Sequence, residues 1–407
     1  MVNCRGCSSP ITLTFLDLGS SPIANDLISL ENLETPEVFY PLHVKTCEKC
    51  ALVQLSEIAT PELLFRSDYV YFSSYSSSWL EHSHRYVTKM IEMLDLDEES
   101  LAIEVASNDG YLLQYFSQAG IQVLGIEPSS GVAEAAIKKN IPTIIDFFGS
   151  ALSSKLAINK KPKLMLGNNV LAHVPDINDF VKGFSLLVAE DGLITFEFPH
   201  LVNLIKNNQF DTIYHEHYSY LSVTSILPIF EKHGLRVIDV EKLATHGGSI
   251  RVYVAKFESN WKVEDSVTKV LIEEQKFDPR NKLIWESLQD RALQTKIKLM
   301  AELVKCKQEG ISVAAYGAAA KGNTLLNYAG IDSGLIQYVI DLNPHKQGKY
   351  LPGSRIPILG ADELIENAPD VLLILPWNLA DEIKIQLNAF TKRGMRLLRA
   401  VPDLEYF

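Results

Sequence analysis

The sequence predicts an α/β chain of three units: a small metal-stapled N-terminal domain, a central doubly wound domain and a second, C-terminal α/β domain. Three observations carry this. Four of the five cysteines stand in two Cys-x-x-Cys pairs within the first fifty residues. From residue 101 onward, short apolar runs alternate with helix-length segments, the rhythm of β-α-β folding. After residue 310 the same rhythm starts again. A chain of 407 residues is too long for one core. The expected divisions are 1–75, 76–257, a helical connector over 258–309, and 310–407.

Charge narrows the class of function. With 38 basic and 50 acidic residues the net charge is −12, which disfavours nucleic acid and anionic membranes as partners. No apolar run approaches the roughly 20 residues that span a bilayer, and the first residues lack the apolar core of a signal peptide. A cytoplasmic enzyme is expected. A monomer is the working assumption, because no feature sets an oligomeric state.

In a reducing compartment, Cys4, Cys7, Cys47 and Cys50 read as a metal site rather than as disulfides. Four thiolates placed tetrahedrally suit zinc and leave no open coordination position, so the ion is expected to be structural. The long gap between the pairs requires a small folded unit there. A hydroxyl-rich aromatic stretch follows at 68–76; it either lines a polar pocket or forms serine-rich surface turns.

The central unit opens with an apolar strand over 101–106 that carries Glu104. Ser107, Asn108, Asp109 and Gly110 then form a turn into a helix. A second strand ends at Glu127, an acid placed to bond the hydroxyls of a ribose. Asp146 beside Phe147 is suited to an adenine ring, and a fourth strand ends at Asn168. His173 comes soon after that strand. In a doubly wound sheet this is the ligand-binding rim, although a histidine there can also simply pack the next helix. A dinucleotide fold needs Gly-x-Gly-x-x-Gly in the first turn, and this turn keeps Gly110 alone. Further on, His246 and Ser249 flank the pair Gly247-Gly248, which suits either close backbone approach to a ligand or a hairpin turn.

The densest proton chemistry lies in Tyr214-His215-Glu216-His217-Tyr218-Ser219. In a helical turn Tyr214 and His217 share a face. In an extended chain His215 and His217 do. Residues 259–282 read as charged and irregular, and 285–308 as a long amphipathic helix. In the last unit, a turn from Gly317 to Gly322 precedes a helix that opens at Asn323. Backbone amides at such a turn bind phosphate, and Lys321 and Lys346 add charge. Asp341, ending the next strand, also allows the turn to be read as an NAD site.

The central spacings resemble a class I S-adenosylmethionine-dependent methyltransferase, with a first turn poorer in glycine than that family's. Over nearly its full length the chain resembles the sugar C-methyltransferases that act on nucleotide-linked 4-keto-deoxysugars. The resemblance rests on the two cysteine pairs, EVASNDG at 104–110, NNVLAH at 168–173, YHEH at 214–217 and GAAAKGN at 317–323. It implies structural zinc on the four cysteines. It implies S-adenosylmethionine held by Glu104, Ser107, Asn108, Asp109, Gly110, Glu127, Asp146, Phe147 and Asn168. It implies a nucleotide sugar gripped in part by Gly317, Lys321, Asn323, Asp341 and Lys346. The implied base is His217, supported by Tyr214, Glu216 and His173, with Tyr71 reaching in from the aromatic stretch, where Tyr69 and Tyr75 compete.

The implied chemistry suits these residues. A 4-keto group acidifies the C3 proton, His217 removes it, and the enolate attacks the methyl group. His173 or Tyr214 would donate to the enolate oxygen, and Glu216 would fix the tautomer of the histidine or stabilise its cation. The rival readings are methyl transfer to a sugar hydroxyl or amine, and an NAD-linked sugar dehydrogenase or epimerase.

Overall fold

The computed structural model describes residues 2–56, 73–75, 77–156 and 160–407. The central sheet has seven strands in the order 235–242, 249–256, 193–199, 164–168, 101–105, 122–126 and 143–144. All are parallel except Ser249–Lys256, which runs antiparallel to both neighbours. That order and that single reversed strand make it a class I methyltransferase sheet. Alternate residues of each strand serve opposite faces. Ile103, Val105 and Met165 enter one core, while Ala102, Leu164 and Leu166 enter the other with Tyr86 and Met90 of helix Ser77–Leu94.

Because the parallel strands share a direction, their carboxyl ends form one rim. The first turn lies there, and it reaches its shape without the usual glycines. Ala106 and Asn108 adopt left-handed φ values of 57° and 49°, followed by Gly110 at 75°. Asparagine tolerates this conformation, but for alanine it costs about 1–2 kcal/mol. Such cost is held where surrounding contacts over-determine the backbone. Here Ala106 N donates to Ile126 O at 2.8 Å and Asn108 N to Glu127 at 3.1 Å. At Gly110 a Cβ would lie 3.1 Å from Ile141.

The N-terminal unit is a four-stranded antiparallel sheet in the order 219–220, 53–55, 40–46 and 13–21. Its edge strand, Ser219–Tyr220, comes from the central unit, directly after the histidine-rich stretch. The C-terminal unit is a six-stranded sheet, parallel but for its last strand, Glu405–Tyr406. One continuous core joins Phe15, Leu16 and Val44 of the first unit, Leu288, Ala292 and Leu299 of helix Lys282–Gln308, and Val313, Val339 and Leu373 of the last. Glu37 adds an ion pair to Arg355 at 3.0 Å across the same junction.

Residues 259–282, read as irregular, contain the helix Asp265–Gln275. Its alternating charges conceal one that is buried. Glu274 accepts from Val223 N and Thr224 N, both at 2.7 Å, and so caps the start of helix Val223–Lys232, while also meeting His200 at 2.7 Å.

Candidate active site

A cavity of about 1200 Å³ runs along the rim of the central sheet and reaches all three units. Asn25 contributes from the first unit, and Asn108, Glu127, Asp146, Phe147, Asn168 and His173 from the second. Tyr214, Glu216 and His217 come from the dense stretch, and Lys321, Lys346 and Asn378 from the third.

The dense stretch is a tight turn. His217 N donates to Tyr214 O at 3.0 Å, and the two rings lie 4.0 Å apart. The pairing is therefore that of the helical alternative, Tyr214 with His217. His215 instead faces the N-terminal unit, against Pro41 O at 3.3 Å and the Tyr40 ring.

His217 and His173 stack edge to face with centroids 4.6 Å apart. Each has Nδ1 on a backbone carbonyl: His217 on Thr212 O at 2.9 Å, His173 on Glu216 O at 2.7 Å. A carbonyl only accepts, so both Nδ1 atoms carry the proton and both Nε2 atoms carry the lone pair. Burial holds both rings neutral. It pulls His173 down to about 4 and, with His173 adjacent, His217 well below the usual imidazole value. A neutral His173 in this tautomer has no proton on Nε2, so of the two expected enolate donors Tyr214 is the one this arrangement suits.

Glu216 does not touch His217 with its carboxyl group. Its Oε1 accepts from Asn25 Nδ2 at 3.0 Å, while Oε2 is buried with no hydrogen-bond partner among the described residues. Burial pushes this acid up to about 7. Thr212, rather than Glu216, fixes the tautomer of His217.

The cofactor residues divide into two groups. Asn108, Glu127, Asp146, Phe147 and Asn168 line the cavity. Glu104, Ser107, Asp109 and Gly110 are buried behind the turn and build it. Asp109 pairs with Lys139 at 3.0 Å and accepts from Ser74. Glu104 is fully buried, and burial raises it well above the usual carboxyl range. Asn168 Oδ1 is a buried acceptor at the cavity wall with no partner among the described residues. Phe147 is 45% exposed, leaving its ring open to stack. Orphan acceptor, wall acid and open ring fit S-adenosylmethionine.

Among the substrate residues, Lys321 and Lys346 line the cavity. Lys321 Nζ donates to Asn378 Oδ1 at 2.7 Å and lies 4.5 Å from the Trp377 ring centroid. Burial pulls it down to about 8, partly offset by Asp211. Gly317, Asn323 and Asp341 lie off the lining. At Gly317, with φ 85°, a Cβ would meet Pro376 at 2.6 Å. Asp341 accepts from Ala318 N and Asn343 N, both at 2.8 Å. Asn323 is fully buried. Tyr71 and Tyr69 lie outside the described residues, as does the Tyr75 side chain.

Asn25 and Asp211 carried no signal of their own in the sequence, and His246 stood out only as the histidine beside the glycine pair. His246 lines the cavity at a left-handed φ of 52°, its Nε2 3.1 Å from Asn169 Nδ2. Asp211 accepts from Trp377 Nε1 at 2.7 Å and is pushed by burial up to about 7.

Apart from this cavity, the sulfurs of Cys4, Cys7, Cys47 and Cys50 lie within 4.8 Å of one another. Cys4 meets Cys50 at 3.5 Å, and Cys7 meets Cys47 at 3.5 Å. The contact with Cys50 pulls Cys4 down to about 5, while burial pushes Cys47 up. Four soft donors at this spacing fit tetrahedral zinc.

Three family models match in sequence. Residues 4–65 match the "Putative zinc binding domain", 79–240 the methyltransferase domain, and 244–402 the C-methyltransferase C-terminal domain. The chain is similar to the C-methyltransferase NovU of Streptomyces niveus, 36% identical over 401 residues, 98% of this chain and 95% of that protein. Solved structures are similar over less than half of the chain. Magnesium protoporphyrin IX methyltransferase from Synechocystis covers 44% of this chain and 81% of its own, at 15% identity and a TM-score of 0.33. A methyltransferase from Clostridium acetobutylicum covers 44% and 92%, at 14% identity and a TM-score of 0.36. Scores this low add nothing to the fold read from the strand order. The full-length relative decides the matter: with zinc unit, methyltransferase unit and C-terminal unit in that order, the chain belongs to the C-methyltransferase family and depends on S-adenosylmethionine.

Proposed function

We propose that the chain methylates C3 of a nucleotide-diphosphate-linked 4-keto-deoxysugar through an enolate, in branched-sugar biosynthesis. The observation that carries this reading is the neutral His173–His217 pair, two Nε2 lone pairs in a cavity that also holds Glu127 and Lys321. A carbon nucleophile must be made by removing a proton; a hydroxyl or amine acceptor needs less.

S-adenosylmethionine, when bound, supplies an electrophilic methyl group. His217 Nε2 takes the C3 proton, and the electron pair of that C–H bond delocalises onto the 4-keto oxygen. Tyr214, packed on His217, donates to that oxygen. The C3 carbon then forms its bond to the methyl as the methyl–sulfur bond breaks with its electron pair left on sulfur, so that S-adenosylhomocysteine is the leaving group, and the proton leaves His217 for solvent. Lys321 and Lys346, with the N-terminus of helix Ala320–Ala329, hold the diphosphate. Glu127 binds the cofactor's ribose, and Asp146 with Phe147 its adenine.

A panel of nucleotide-linked 4-keto sugars, assayed with S-adenosylmethionine, tests the reading. The product is expected to carry a new carbon-bound methyl at C3 by NMR, and C3 deuterium to wash out in the presence of enzyme. A methyl found on oxygen or nitrogen would sink the enolate mechanism.

Glu216 adds a prediction with a definite sign. Its raised pKa of about 7 means it is protonated below that pH and ionised above. The ionised form, on the residue next to His217 in the chain, would place a negative charge beside the turn and so favour a proton on His217. Turnover should therefore rise with pH through about 7. His217 itself, unprotonated over this whole range, adds no limb there. Glu216→Gln is expected to lack the rise; a pH profile unchanged in that variant would separate Glu216 from the base.

A further inference from the structure

The turn that carries His217 is fastened on its outer side by the metal-binding unit. Ser219 and Tyr220 pair with Gln54 and Val53 as the edge of that unit's sheet. Leu55 N donates to Tyr218 O at 3.0 Å, and Asn25 reaches Glu216. On the inner side, His173 holds Glu216 O, and Thr324 Oγ1 holds Ile213 O at 3.0 Å.

Arg5 joins the metal site to this turn. It lies inside the first Cys-x-x-Cys pair, between Cys4 and Cys7, whose sulfurs belong to the four-thiol cluster. Its backbone is held on both sides: Arg5 N donates to Gln54 Oε1 at 2.9 Å, and Asn178 Nδ2 donates to Arg5 O at 2.7 Å. Its guanidinium NH1 donates to Tyr218 O, the carbonyl directly after His217, and Cζ lies 5.4 Å from the Tyr218 ring centroid. A backbone set by the metal knuckle thus ends, through one side chain, on the neighbour of the base.

We infer that Arg5 is a positioning residue through which the metal knuckle sets the placement of His217, an inference that rests on His217 being the base. Four thiolates would leave a bound zinc closed to substrate, so the knuckle bears on turnover only through the placement of His217. Within a near-attack geometry, a displacement of about 1 Å can cost about 10²-fold in rate.

The test is Arg5→Met in the full-length, zinc-loaded protein. Methionine keeps an unbranched side chain, and Tyr218 O retains Leu55 N as a partner, so no carbonyl is stranded. Zinc content and S-adenosylhomocysteine affinity are expected to match the wild type. The kcat should fall about 10²-fold with KM for the nucleotide sugar nearly unchanged. Amide exchange should quicken over 214–220 but not over 13–21, and Arg5→Lys should recover part of the rate. A zinc-loaded Arg5→Met with wild-type kcat overturns the inference, and so does a rate that falls only in proportion to zinc lost. Should the wild type turn over no nucleotide sugar, the functional reading fails by itself, and exchange over 214–220 in the variant still decides whether Arg5 positions the turn.

Discussion

His217→Asn is expected to lower turnover by about 10²–10⁴-fold, the range general-base catalysis supplies, while S-adenosylhomocysteine binds as before. The argument is local. Thr212 O fixes the Nδ1 proton at 2.9 Å, so the whole basicity of the ring is presented at Nε2. Asparagine keeps a polar group in the space but offers no nitrogen lone pair that can hold the C3 proton. His173, 4.6 Å away by ring centroid, presents the same tautomer. It therefore sets the floor: residual C3 deuterium exchange in His217→Asn should disappear in the double variant with His173→Gln. The cofactor wall around Glu127 and Asn108 is built on separate contacts, so its affinity is an internal check that the variant is folded. A folded His217→Asn within a few-fold of wild-type turnover would move the base elsewhere.

Periodicity and spacing made the central unit legible. Its strands are short apolar runs with turn residues between them, and the sheet alternates faces as period two demands. The pairing of Tyr214 with His217 was also within reach, since residues three apart meet in a turn. What stayed hidden depends on distant partners. Asn25 looks ordinary until its amide meets Glu216, 191 positions away. Ser219–Tyr220 gives no sign that it completes the N-terminal sheet, because two residues carry no period. Helix Asp265–Gln275 was lost because its charges average out, although one of them, Glu274, is a buried cap. The first turn misleads for a related reason: glycine is the usual mark of left-handed backbone, and here Ala106 and Asn108 adopt it under tertiary constraint.

Those long-range joins bear on metal removal. Chelating the ion from the full-length protein, or replacing Cys47 by serine, is expected to melt the N-terminal sheet before the central one. Zinc at four thiolates contributes on the order of 10–16 kcal/mol at neutral pH in small zinc domains, and that binding energy is folding energy. Without the cation, thiols at 3.5 Å separations, one of each pair buried and the other half-buried, must share protons instead of charge, and the two knuckles lose the tie that closes a gap of about forty residues. The strands Leu13–Ser21, Tyr40–Thr46 and Val53–Leu55 depend on that closure, whereas Leu101–Val105 and Gln122–Ile126 lie in a separate sheet; Cys4, Ile11, Cys47 and Leu52 join the core on one of its faces, but the core on the other face holds no residue of the metal unit. Calorimetry should resolve a lowered first transition, and amide exchange should rise in the first three strands while the central pair stays protected. S-adenosylhomocysteine binding should survive in the same sample. A metal-free chain that melts in one unchanged transition, with all five strands protected, would mean that the shared core with helix Lys282–Gln308 suffices to hold the N-terminal unit without its ion.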